Sequence, residues 1–360
     1  MLEQSEISYP ILTQARAMSS FRSHPSTLFL LAFFLFHLSL CTNLYPTEEI
    51  YQFPDPTVVE NLAVRPDGSI LTTIASAPEI YLFQPKADRP DPQLIYRFDG
   101  SNAVTGIVET SPDVFYVTVT TVNVDDGVFS PVANSSQLWR ISFPRRQRDK
   151  PRVQKIADLP EVQIPNGLTA LASGKRLLSA DAFQGLVYII DTATGDVIAP
   201  LSDPLFDPSP DGAFGVNGVE VKGSTLYFTN GFQNVFGKIP LDPVTGVAKH
   251  PASVIARALP PAKGYDDFAI SPHGDAAYVA NPGGNFIEKI DLKTGKQVIV
   301  AGKVNSTEIS GPTSAAFGRK GNGKVKERVL YVTTSGDPGF PVDGKTPGGQ
   351  LVAVKLPKKK

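Results

Sequence analysis

One nine-residue frame recurs along the chain and constrains its fold more than any other feature. Each copy opens on a polar residue, passes through small and apolar residues, and turns, usually at glycine, into a β-rich strand. The clearest copies are ENLAVRPDG from Glu60, NGLTALASG from Asn166 and DDFAISPHG from Asp266. NGVEVKG from Asn217 is a shortened copy, while TGIVETSPD from Thr105 and TSAAFGRKG from Thr313 are weaker ones. The openings are spaced by 45, 61, 51, 49 and 47 residues, and about 40–50 residues is the length of a four-stranded propeller blade. Six copies predict an all-β, six-bladed β-propeller. Asp-x-x-Thr-Gly at 191–195, 242–246 and 291–295 predicts turns between outer strands, because Asp and Thr bond local backbone and Gly accepts positive φ. Ring closure is expected from residues 48–54 pairing with 349–356. The longer insertions, 121–137 and 203–214, are expected to be loops at the channel mouth, where a rigid scaffold presents function.

Composition supports this reading. The 360 residues include 32 Pro and 30 Gly, the punctuation of short strands rather than long helices. A formal net charge of -1 gives no field that would draw the chain to nucleic acid or an anionic membrane. The apolar run Leu28–Leu40 follows Arg16 and Arg22. It is too short for a stable span of about 20 apolar residues and reads as a signal peptide, the alternative being a retained anchor. Met1 and Met18 are both candidate starts. The expected organisation is a leader over 1–42 and a single propeller domain over 43–360, in the secretory pathway or secreted. Cys41, the only cysteine, falls in the leader, so the mature chain has neither disulfide nor thiol chemistry. Sequons at Asn134 and Asn305 fit the same route as glycosylation sites.

The six opening residues, Glu60, Thr105, Asn166, Asn217, Asp266 and Thr313, are all polar, and in a propeller they converge on one mouth of the channel. Two carboxylates and two amides are hard oxygen donors suited to calcium or another divalent cation; the alternative is that they hydrogen-bond strand ends and close the channel. The four histidines, His24, His37, His250 and His273, have no nucleophile placed beside them, which disfavours a Ser-His-Asp triad. No phosphate loop or organic-cofactor motif is present. Trp139, Phe214, Phe232 and Tyr265 are candidates for an apolar substrate pocket, against the alternative of packing between blades.

These frames resemble the SMP-30/gluconolactonase-like propellers over nearly the whole mature chain. The resemblance implies a divalent metal, usually calcium, held by Glu60, Asn217 and Asp266, with Asn166 contacting substrate. Two departures stand out. Gly167 occupies a position that is often acidic in the aldonolactonases, and Val162–Pro165 lacks the basic residue that helps some members bind a sugar acid. Paraoxonase-type propellers are similar in architecture alone. The leader, NLYPTEEIYQFP, the cysteine-free blades and GVNGVEVKGSTLYFTNGFQNVFGKIPLD resemble the filamentous-fungal branch that includes hetero-Diels–Alderases of tropolone-sesquiterpenoid pathways. That implies cycloaddition of a tropolone-type o-quinone methide to a humulene-type alkene. The substrates would be apolar polyketide and terpenoid molecules, with Asn166, Asn217, Asp266 and Thr313 as candidate catalytic groups. A metal-dependent lactonase and a non-catalytic ligand-binding propeller are the competing expectations.

Overall fold

The computed structural model describes residues 44–357 apart from 88–89, 126–127, 145–149, 211–213, 261–263, 321–322, 337–343 and 345. The stretch expected to be a leader, with Cys41, His24 and His37, lies outside the described residues. Six four-stranded antiparallel sheets follow one another along the chain. Their innermost strands are Val59–Val64, Ala103–Ser111, Pro165–Ala170, Val216–Lys222, Phe268–Ile270 and Pro312–Arg319, for blades 1 to 6 in order. Each holds or directly follows one of the six repeating openings, so the repeat is the blade. Blade 6 is completed from both ends of the domain. Its third strand, Gln350–Lys355, pairs with Thr47–Gln52 in a register running from Thr47↔Val354 to Gln52↔Gln350. The radial arrangement leaves only short, protected sheet edges, which limits the aggregation hazard of an open sheet.

The Asp-x-x-Thr-Gly turns form as their chemistry requires. Asp191 Oδ1 accepts the N–H groups of Ala193 and Thr194, Asp242 Oδ1 those of Val244 and Thr245, and Asp291 Oδ1 those of Lys293 and Thr294. The closing glycines adopt φ of 79°, 80° and 70°. Apolar side chains fill the spaces between blades. Phe206, from the 203–214 insertion, is fully buried and meets Phe228 edge-on at 4.8 Å, so this connection is pinned to blade 4. Burying such a ring contributes about 1.5–3 kcal/mol.

What positions the site is a bulge. In blades 1, 2, 3, 4 and 6 the register slips at the opening of the innermost strand, between Val59/Asn61, Val104/Ile107, Pro165/Leu168, Val216/Val219 and Pro312/Ser314. A bulge leaves backbone groups without ladder partners and re-aims the local side chains. Threonines on the neighbouring strand take up the freed donors: Thr73, Thr118 and Thr229 hydroxyls accept from the N–H of Asn61, Gly106 and Gly218 at 3.0, 3.0 and 2.8 Å.

The residue after each opening forms a waist across the channel. In blades 2 to 4 it is Gly106, Gly167 and Gly218; in blades 5, 6 and 1 it is Asp267, Ser314 and Asn61. A Cβ on Gly167 would stand 2.5 Å from the Asn217 carbonyl oxygen, and one on Gly218 would stand 2.4 Å from Asp267 Oδ1. The other half of the ring supplies a polar lock: Asn61 Nδ2 donates to Asp267 Oδ2 at 2.8 Å, and Ser314 Oγ donates to Asn61 Oδ1 at 3.0 Å. Gly167 is therefore a steric requirement of this ring, which explains the missing acidic side chain. Gly167→Ala should cost roughly 3 kcal/mol by overpacking against backbone, measured as a lower urea midpoint; an unchanged midpoint would mean that the ring widens freely there.

Candidate functional site at the channel mouth

Glu60, Asn166, Asn217 and Asp266 share the mouth. Asn166 hydrogen-bonds Glu60, and Asn217 hydrogen-bonds Asp266. Both amide oxygens and one carboxyl oxygen stay unused: Asn166 Oδ1, Asn217 Oδ1 and Asp266 Oδ1 are buried and have no hydrogen-bond partner. Three such oxygens in one place are unusual, since buried polar atoms are almost always satisfied. The electrostatics are equally loaded. Burial, with the Asp267 charge adding to it, pushes the Glu60 carboxyl up to about 7 despite the Asn166 hydrogen bond. Burial and the charges of Glu60 and Asp267 hold Asp266 well above the usual carboxylate range. Asp267 itself is raised to about 6 by burial, opposed by the Phe268 N–H and Asn61. Carboxyls this close cannot all ionise without a compensating positive charge.

These residues fit a hard divalent cation. The unpartnered oxygens are uncharged or anionic hard donors, and a cation there would relieve the like-charge cost. Among the described residues no three His, Cys, Asp or Glu side chains form a ligating cluster, so such a site depends on its two amides.

The other expected mouth residues divide. Thr313 Oγ1 donates to the Val59 carbonyl at 2.7 Å and lies 3.0 Å from Thr333 Oγ1. Thr105 Oγ1 is 2.9 Å from Thr118 Oγ1. Both hydroxyls are committed to holding adjacent strands, so Thr313 is a structural residue rather than a free catalytic donor. Tyr265 is 1% exposed, packs in the blade 5 core and donates its O–H to Glu288 Oε2 at 2.8 Å. Trp139 lies on the third strand of blade 2, against Phe98 and Tyr96, with Nε1 donating to Gln137 Oε1. Neither lines the mouth; both take the packing role that large aromatic rings have in a core.

Phe214 and Phe232 do belong to the mouth face. Phe214 precedes the opening of blade 4 by three residues, and its carbonyl accepts the Phe232 N–H at 3.2 Å. The 121–137 insertion contains a hairpin, Val122–Asp125 with Val128–Pro131, which brings Phe129 to 5.5 Å from Phe214, ring to ring. Phe129 and Phe232 remain 43% and 44% exposed. Sequence reasoning missed Phe129, although its insertion was identified, and it missed Asp267 and Asn61, which stand next to the residues it named. The Val162–Pro165 stretch turns Val162 and Ile164 into the core, while Asp181 accepts the Gln163 N–H at 2.6 Å. That stretch brings no cation to the mouth.

No family model matches the chain. In sequence it is 27% identical over 314 residues to a Phoma protein provisionally named a hetero-Diels–Alderase, covering 80% of this chain and 86% of that one. A second such protein, from Sarocladium schorii, is 26% identical over 326 residues, covering 80% and 78%. The chain resembles hetero-Diels–Alderases. The propeller is also similar to solved structures. Regucalcin, a calcium-binding protein of Agrobacterium tumefaciens, superimposes with a TM-score of 0.56 at 16% identity, over 88% of this chain and 96% of that one. A luciferin-regenerating enzyme gives a TM-score of 0.57 at 15% identity, over 86% and 95%. These two likenesses bear on the fold alone. No helix among the described residues is long and apolar enough to cross a membrane.

Proposed function

We propose that the protein catalyses a hetero-Diels–Alder cycloaddition at its channel mouth. The observation that carries this is the Phe129–Phe214 pair, with Phe232 close by, standing beside an oxygen-lined opening. An apolar clasp next to a few fixed polar groups is what a terpenoid or polyketide pair requires. A cycloaddition forms two bonds without losing an atom, so the protein's task is orientation, which supplies about 7–11 kcal/mol in favourable cases. The Asn166 and Asn217 amides, each with a second N–H beyond its bond to Glu60 or Asp266, would orient or donate to a heterodiene oxygen as charge develops on it. A divalent cation held by Glu60, Asn217 and Asp266 would supply polarisation of that oxygen when bound. The reaction would join a tropolone-type o-quinone methide to a humulene-type alkene. The leader, and the exposed turn positions of Asn134 and Asn305, support glycosylation and a secretory location.

A lactonase is the second reading, favoured by two mutually repelling carboxyls, Glu60 and Asp266, and three unpartnered oxygens, which suit cation-assisted attack of water on a carbonyl. Incubating the purified protein with sugar lactones, and separately with a quinone-methide/alkene pair, with and without chelator, tests both. The expected result is stereochemically biased cycloadduct and little lactone hydrolysis. Efficient, chelator-sensitive hydrolysis with only the uncatalysed adduct mixture would establish the lactonase instead.

A further inference from the structure

Beyond the waist the channel widens into a chamber of about 500 Å3 at the end opposite the mouth. The Asn61–Asp267 lock and Ser314 lie at its ceiling, and none of Glu60, Asn166, Asn217 or Asp266 lines it. Its lining is mixed: Leu62, Ile107, Leu168 and Phe268 supply apolar surface between polar side chains that include Lys222 and Arg319. Into this wall projects Glu220, from the innermost strand of blade 4. Its Oε2 accepts the Ile270 N–H of blade 5 at 2.7 Å, a donor that the sheet edge leaves free. Its Oε1 has no protein partner.

The charged groups around Glu220 do not neutralise it. Arg319 is ion-paired with Glu109. Lys222, on the same strand, is exposed and directs its Nζ to the Pro272 carbonyl at 3.3 Å. Asp267, from blade 5, is a second carboxyl, and Tyr227 lies on the next strand of blade 4. A half-buried carboxylate with one open oxygen and no ion pair among the described residues is costly, and a chamber of this size is large enough for a small molecule. A ligand matched to it carries one positive charge on a compact apolar body.

We infer that this chamber is a second small-molecule site, separate from the mouth, which binds a compact organic ammonium through Glu220. The ammonium donates to Glu220 Oε1 while its hydrocarbon body packs on the apolar side chains of Leu62, Ile107 and Phe268. Burial raises the Glu220 carboxyl to about 8, the neighbouring Asp267 charge adding to this against the Ile270 N–H and Lys222. Ammonium binding therefore displaces a proton near neutral pH.

Titration calorimetry of the full chain with n-hexylammonium tests this. One site is expected, tightening about tenfold per pH unit from 6 towards 8 and levelling above, because the amine stays charged while Glu220 ionises. Glu220→Gln keeps the shape and an acceptor for Ile270, and should weaken binding at least about tenfold with the melting temperature retained. Asp266→Asn at the mouth should leave it unchanged. Hexanol binding as tightly as hexylammonium, hexanoate binding better than either, or Glu220→Gln binding normally would each overturn the proposal, as would the absence of any binding.

Discussion

In calcium, the wild-type protein should melt above Asp266→Asn, and in chelator at pH 8 the order should reverse. The first half follows from linkage. A cation at a hundred times its dissociation constant stabilises the folded state by about 2.7 kcal/mol, and replacing a charged ligand with an amide removes most of that. The second half follows from the carboxyl cluster. The Glu60 carboxyl is raised to about 7, so the folded state binds a proton that the unfolded chain releases near its ordinary value of 4.5. Its stabilising contribution is complete below pH 4.5 and is lost as pH rises through 7. Asp266, raised by the same burial and by Glu60 itself, behaves alike. Asp266→Asn removes one of the two mutually repelling charges, lowers the Glu60 value and narrows the pH window over which stability is lost. Melting curves at pH 5 and 8, with calcium and with chelator, read both halves. Identical calcium responses in the two proteins would exclude a cation site at Asp266, and an unreversed order in chelator would mean that the carboxyl repulsion is too weak to matter.

The same variant separates the two enzyme readings. Cation-assisted hydrolysis should disappear with Asp266→Asn, because bond making there depends on the polarised carbonyl and its water. Cycloaddition needs no water nucleophile, so its rate should fall by geometry alone, roughly tenfold, and its product should persist.

Phe129→Ala and Phe214→Ala should have their largest effect on which cycloadduct forms. The two rings sit 5.5 Å apart, and an aromatic pair contributes about 0.5–1.5 kcal/mol beyond the area that it buries. Losing either ring lets the hairpin drift from the blade 4 opening, and a misplacement of about 1 Å in a site of this kind costs up to roughly a hundredfold in rate. Chiral chromatography of the products, with turnover measured for each single variant and the double, is the readout. The double variant should be little worse than either single, because each alone breaks the pair. Unchanged product ratios would remove the aromatic clasp from the mechanism.

Much of this was legible in the chain. A frame repeated at blade length can bury its apolar face only against a copy of itself, so the repeat determined six blades; a second motif marked the Asp-x-x-Thr-Gly turns, and the closure expected of 48–54 with 349–356 forms between 47–52 and 350–355. The polar openings also identified the mouth, because the innermost strands begin where the frame begins. Three things the sequence could not decide. Whether Thr313 or Thr105 offers a free hydroxyl depends on which partner is in reach, and both meet a threonine on the adjacent strand. Tyr265 and Trp139 are aromatic and lie beside turns or loops like Phe214, yet backbone direction turns the first towards Glu288 and puts the second on an outer strand. Most of all, Asn61 and Asp267 lie 206 residues apart and meet only when the ring closes. A hydrogen bond across a channel has no local signature: it exists because three glycines on one side let backbones approach and leave the other side to fill the centre. That packing, decided by the tertiary structure, divides the channel into a mouth and a chamber.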